Sequence, residues 1–172
     1  AAAFQQAGAL EQTRLCEEQA FDRAPEDERA FVALRRRFEG DARRLADLFF
    51  SRAHAVPREA PRLLKERAAL LFERGEALFA AEALDDLLRV APNDLEALMR
   101  RADLAADAGG PTASAPYDRR LVNADAIALP AGIKERALLR LGHAALQARA
   151  YQDAADALTE LITEHEIDPR QV

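Results

Sequence analysis

The side chains able to do chemistry in this 172-residue chain are few and scattered. Its three histidines are His54, His143 and His165, and none pairs with another at a metal-ligand spacing. His165 lies between Glu164 and Glu166, a local set of ligand types that reads as a solvated helix end. The single cysteine, Cys16, excludes an internal disulfide and leaves little to build a cysteine zinc site. It stands in Leu15-Cys16-Glu17-Glu18, where neighbouring acids do not activate a thiol, so a packed thiol is expected rather than a nucleophile. Ser51 and Ser114 belong to no nucleophile motif. Gly109-Gly110-Pro111 lacks the lysine and the helix start of a phosphate loop. No convergent nucleophile, base and stabilising donor emerges, so neither an enzyme nor a cofactor is expected.

Charged clusters remain. Asp22, Glu26, Asp27 and Glu28 surround Pro25 without calcium-loop spacing, and acids of this kind suit a helix start. Arg35-Arg36-Arg37 and Arg43-Arg44 fall on helical stretches, so consecutive guanidinium groups point around a cylinder. Glu39, Asp41 and Asp47 are at hand to neutralise them. The net charge of −6 argues against a nucleic-acid surface, which needs a basic stripe. At 49% hydrophobic and 31% charged, the chain can bury a core and is not disordered. No apolar run approaches the roughly 18 residues of a membrane helix, and Ala1–Ala3 does not begin a signal peptide. No initiator Met is present, which suggests a processed or excised piece.

The elements that must position these residues are helices. Ala, Leu, Arg and Glu dominate, while the β-branched residues that favour strands are scarce. Pro25, Pro57, Pro92, Pro130 and Pro169 are separated by 32, 35, 38 and 39 residues. Gly8, Gly40 and Gly75 each precede one of them by 17 residues. A glycine accepts the positive φ of a tight turn, and a proline ends a helix at the residue before it. A turn, a helix of about 15 residues and a stop therefore recur. From Pro61, Leu64, Ala68 and Leu71 lie on one helical face. After Gly75, Ala80, Leu84, Leu87 and Leu88 form a second stripe. Asn93 or Asp94 is placed to cap the next helix.

This pattern resembles the tetratricopeptide repeat, a 34-residue helix–turn–helix unit. Ala68, Gly75, Ala80 and Pro92 occupy its signature places, and Ala150-Tyr151-Gln152-Asp153-Ala154 is similar to its turn and second-helix start. Arg149 stands where the turn glycine belongs, and Leu45 stands where the second helix of 26–60 should carry a small residue, which loosens packing there. The resemblance implies an all-α, right-handed superhelical solenoid of antiparallel helix pairs. It would form a single helical-repeat domain over 1–172: a partial repeat or cap at 1–25, with Gly8 as a turn, then repeats at 26–60, 61–94, 95–130 and 131–169. The third carries an inserted loop at Gly109–Pro116, from which Ser114 caps the following helix with Leu121, Ala124, Ile127 and Ala128 inward. Turns are expected near Gly40, Gly75, Gly109 and Arg149. Leu71, Leu84, Leu87, Leu141, Ala145, Leu158 and Leu161 are expected to be buried at the joins.

Helix pairs of this kind bury their stripes on their neighbours and leave a concave face lined by first helices. By repeat position, Arg62, Lys65, Arg136, Leu139, Arg140 and His143 lie on that face. Some family members clamp carboxylates with basic residues at such places, whereas here Ala69 and Asp103 replace the supporting asparagines. The expected function is a non-catalytic scaffold, part of a larger protein, that binds a protein or peptide in the groove, with an acidic segment carrying apolar anchors as the kind of partner that would fit. The alternative is a ligand- or partner-sensing domain that controls an attached effector. Neither nucleic acid nor membrane insertion is expected. Compartment is not readable from the sequence; cytoplasm is slightly favoured over periplasm.

Overall fold

The computed structural model describes residues 2–124, 129–130 and 132–165, with side chains over 12–124, 129–130 and 132–163. The described residues contain helices and no strand: α1 (Ala2–Arg23), α2 (Glu28–Arg37), α3 (Ala42–Ala55), α4 (Ala60–Glu73), α5 (Ala77–Val90), α6 (Leu95–Val122), α7 (Ile133–Gln147) and α8 (Tyr151–His165). They divide into two compact units, Ala1–Val90 and Ala91–Val172, at the point where Pro92 stops α5.

Local chemistry starts four of the helices. The Asp27 carboxylate accepts from the Arg29 and Ala30 amides at 2.8 and 3.4 Å, which is the use made of the acidic run around Pro25. Asp41 caps α3 through the Arg44 amide at 3.1 Å, and Asp94, not Asn93, caps α6 through Ala97 at 2.9 Å. Pro61 sits in the first turn of α4, where its missing N–H leaves no bond unmade.

In the first unit α4 and α5 pack together across a three-residue turn. The Glu76 amide bonds the Leu71 carbonyl at 3.0 Å and the Gly75 amide bonds Phe72 at 2.9 Å, with Gly75 at φ +71. This is a Schellman stop, which needs a left-handed residue at its corner. Leu63, Leu64, Ala68, Leu71, Ala80, Leu84 and Leu87 are buried between the helices. The rings of Phe21, Phe31 and Phe49 follow one another at 6.4 and 6.3 Å, tying α1, α2 and α3 together. α2 packs less closely on α1 and α3 than α4 does on α5. The half-buried Leu45 occupies the place that Ala80 holds on α5, so the helices stand apart there.

In the second unit the α7–α8 corner repeats the α4–α5 corner 74 residues later. The Ala150 amide bonds Ala145 at 2.9 Å, the Arg149 amide bonds Leu146 at 3.1 Å, and Arg149 holds φ +59. The left-handed turn is thus made without the glycine. A Cβ on Gly142 would come within 3.0 Å of Leu158, so its absence lets α7 and α8 approach.

Four expectations are corrected. Gly8 is no turn: α1 runs through it, because the helix formers around it outweigh a glycine penalty of about 1 kcal/mol. The Gly109–Pro116 stretch is not a loop. It is helical on both sides of Gly110, whose φ of 72 and ψ of −169 break α6 in two. Arg140 reaches both Asp103 and Asp118, each at 2.6 Å. In one straight helix those aspartates would lie about 22 Å apart, so the chain folds back at Gly110 and α6 is itself a helix pair. Pro111 opens the second half, where a proline is harmless. Ser114 does not cap that half but lies buried inside it, its hydroxyl donating to the Pro111 carbonyl at 3.1 Å. Lastly, Leu141, Ala145 and Leu158 are only half-buried, Leu141 and Ala145 because they line an open cleft. Ile127, Ala128 and Pro169, like the side chains of Glu164, His165 and Glu166, lie outside the described residues.

Candidate partner-binding faces

The recurrence places the expected site residues on equivalent positions of α4 and α7. Arg62, Lys65, Ala69 and Phe72 follow one another along α4 as Arg136, Leu139, His143 and Leu146 do along α7. The spacing of three, four and three residues keeps each set on one helix face. Both faces carry exposed apolar groups: Phe72 is 46% exposed, Leu139 39% and Leu146 46%.

Arg62 is exposed and bonded to Glu66 at 2.7 Å, with Glu59 at 3.7 Å. Glu66 also accepts from Arg35 at 2.9 Å, so two guanidinium groups share its one carboxylate. Lys65 and His143 are exposed. Arg136 and Arg140, four residues apart, do share one carboxylate, and it is the chain's own Asp103, at 3.9 and 2.6 Å. Arg140 also binds fully buried Asp118: Nε reaches both carboxylate oxygens at 3.1 Å and Nη2 reaches one at 2.6 Å. Burial acts to lower the Arg140 pKa, but the bonds to Asp118 and Asp103 outweigh it and hold the value above the ordinary one. Arg140 is therefore an internal staple, while Arg136, Leu139 and His143 face solvent.

Two buried charges escape a reading of single stripes. Asp118 stands at the repeat position of Leu84 and Leu158. Arg52 stands at that of Leu87 and Leu161. Buried Arg52 bonds Glu59 through Nε at 3.2 Å and Nη2 at 3.0 Å, Glu28 at 2.6 Å and the Pro25 carbonyl at 3.1 Å. It thereby joins the end of α3 to the starts of α4 and α2. Charge at an apolar stripe position is the signal that marks both. The arginine runs pair across helices, Arg35 with Glu66, Arg37 with Glu17 at 2.9 Å, Arg43 with Glu76 at 3.8 Å and Arg44 with Glu18 at 3.3 Å. Of the three acids expected to neutralise them, Asp41 does so, 3.7 Å from Arg44.

Each unit also has a cleft. In the first, α1, α2 and α3 enclose about 290 Å³ over Phe21, Leu34 and Phe38. In the second, about 370 Å³ lies between the second half of α6, α7 and α8, walled mostly by alanines. Among the described residues no His, Cys, Asp and Glu side chains gather to hold a metal ion, and no helix is long and apolar enough to cross a membrane. Cys16 is exposed rather than packed, since the described part of α1 buries only Phe21.

The chain is an all-helical repeat protein. Its sequence matches no family model and no curated protein. Among solved structures, a chain described as "MamA RS-1 ArsTM double mutant" is similar at 15% identity and a TM-score of 0.48, covering 92% of this chain and 97% of that one.

Proposed function

We propose that this protein is a non-catalytic interaction scaffold of one helical-repeat domain, binding protein or peptide segments on the exposed faces of its first helices. The observation that carries the reading is the repeated stripe in which exposed Phe72, Leu139 and Leu146 alternate with Arg62, Lys65, Arg136 and His143. Phe72 and Leu146 occupy the same repeat position, and an exposed apolar group there on each helix supports an interaction face on that helix. The partner that fits has apolar anchors beside carboxylates. Arg136 meets a carboxylate directly, and Arg140 contributes by holding Asp103 and the register of α7. Exposed ion pairs add about 0–1 kcal/mol each, so affinity comes from the anchors and charge governs the association rate.

The test is capture of partners from the source organism with the whole chain, followed by association kinetics on Leu139→Asp and Arg136→Glu. Leu139→Asp should weaken binding at least tenfold, and Arg136→Glu should slow association and flatten its salt dependence. Unchanged kinetics in both, with helicity intact, would remove α7 as the binding face.

A further inference from the structure

We propose that the cleft between the second half of α6, α7 and α8 is a small-molecule site, which takes a free aromatic α-amino acid. The cleft holds about 370 Å³, within the range of ligand pockets. Its apolar walls are accessible: Leu141, Ala145, Ala150 and Ala157 are half-buried and Ala148 is exposed. The first unit shows why the space exists. Buried Ala46, Phe49 and Arg52 of α3 stand at the repeat positions of buried Ala115, Asp118 and Leu121. In that register Arg43 corresponds to Thr112 and Phe50 to Arg119, while Arg67 corresponds to Leu141 and Phe79 to Asp153. In the first unit the four residues form two stacked pairs, Arg43 over Phe79 at 4.8 Å and Arg67 over Phe50 at 4.5 Å. In the second unit their counterparts stack on nothing and all four line the cleft. Leu70 and Leu71 of α4 likewise give way to Ala144 and Ala145. The two helix corners share one backbone form, so the smaller side chains leave open the volume that rings and leucines take up in the first unit.

The charges at the cleft select the occupant. Of its three polar lining side chains, Thr112 is spent on the fold, its hydroxyl donating to Gln147 at 3.0 Å. Arg119 on α6 and Asp153 on α8 are exposed, and neither side chain has a partner among the described residues. One cation and one anion on different walls of an apolar trough fit a ligand that carries both charges beside an apolar group. An α-amino acid does so: its carboxylate accepts from the Arg119 guanidinium and its ammonium donates to Asp153. An aromatic side chain then covers Leu141, Ala144 and Ala145. A ring is favoured because Phe50 and Phe79 stand at the matching places of the first unit, and because a ring also offers its face to Arg119.

The site lies on the opposite face of α7 from Arg136, Leu139, His143 and Leu146, so it stands or falls apart from the scaffold reading. The probe is L-phenylalanine, titrated into the full chain and followed by backbone amide shifts. It should saturably shift amides of the second half of α6, of α7 and of the start of α8, with a Kd of about 1 mM or tighter. N-acetylphenylalanine lacks the ammonium and phenylalanine amide lacks the carboxylate, and each should bind about fivefold more weakly or worse. Phenylalanine should weaken by a similar factor on Asp153→Asn and on Arg119→Gln, two exposed positions whose substitution leaves the fold intact. Ala145→Leu, which restores the side chain of Leu71 and keeps both charges, should abolish the shifts. N-acetylphenylalanine binding as tightly as the free amino acid would assign the cleft to the C-terminal residue of a partner chain. That result, an absence of saturation, shifts centred elsewhere, or undiminished binding to the two charge variants overturns the proposal.

Discussion

Truncating Asp118 tests whether one buried ion pair holds the second unit together. The Asp118 side chain has no exposed surface and accepts three contacts from Arg140, the shortest at 2.6 Å. Asp118→Ala removes all three and leaves a guanidinium that is 15% exposed with Asp103 as its remaining close partner. Removing one member of a buried pair costs about 3–5 kcal/mol, because the other charge stays desolvated. Asp103 is 45% exposed and keeps Arg140 partly compensated, so the expected loss is about 2–4 kcal/mol, read by urea unfolding. Asp103→Ala should cost about 1 kcal/mol or less, as exposed pairs do. Replacing both buried charges by apolar residues, Asp118→Leu with Arg140→Met, should recover most of the loss, since apolar packing often equals a buried pair. A loss below about 1 kcal/mol for Asp118→Ala, or a double variant as unstable as the sum of its singles, would refute the reasoning.

The backbone corners make a paired prediction. Arg149→Gly should stabilise the fold by about 0.5–1 kcal/mol, because the left-handed penalty of an L-residue exceeds the entropy a glycine loses. Gly75→Ala should destabilise it by about 1 kcal/mol through φ alone, since no atom lies within 4 Å of the added Cβ; a destabilised Arg149→Gly in chemical denaturation would show that the corner is not left-handed. Glu59 supplies a pH dependence. The hydrogen bond from Arg52 holds its carboxyl below the usual range against the opposing effect of burial, with the charges of Arg52 and Arg62 adding to the lowering. Its contribution is therefore complete above the unfolded carboxylate pKa of about 4.3 and is lost as pH falls through the lower folded value. Glu59→Gln should make the denaturation midpoint less sensitive to acid between neutral pH and about pH 3, and an identical pH profile would exclude the linkage.

Much of the architecture was legible in the residues because helix pairs are specified by local rules. Pro61, Pro92, Asp94 and Gly75 act within one or two turns of themselves, and their spacing marked the helices and corners that the structure contains. The apolar stripes through Leu71, Leu84, Leu87 and Leu161 named the buried face, since the helical period leaves one side to bury. The exposed positions of Lys65, Arg136, Leu139 and His143 could be read from the repeat register. What those charges bind could not, because an ion pair depends on residues far away in sequence.

Only the tertiary structure decided that Arg140 is tied to Asp118 and Asp103, and that Arg52 joins three helix ends. Gly110 shows the same division. Gly-Gly-Pro announced a break, yet whether that break became a loop or a reversal inside helical chain depended on what the second half packed against. The cleft over Phe38 likewise exists because residues of α1, α2 and α3 meet there. Sequence alone determined where helices begin, stop and turn, since capping and backbone sterics act over a few residues. Tertiary packing determined which charges are used up internally and which stay available, because that is settled by the desolvation of groups brought together from distant parts of the chain.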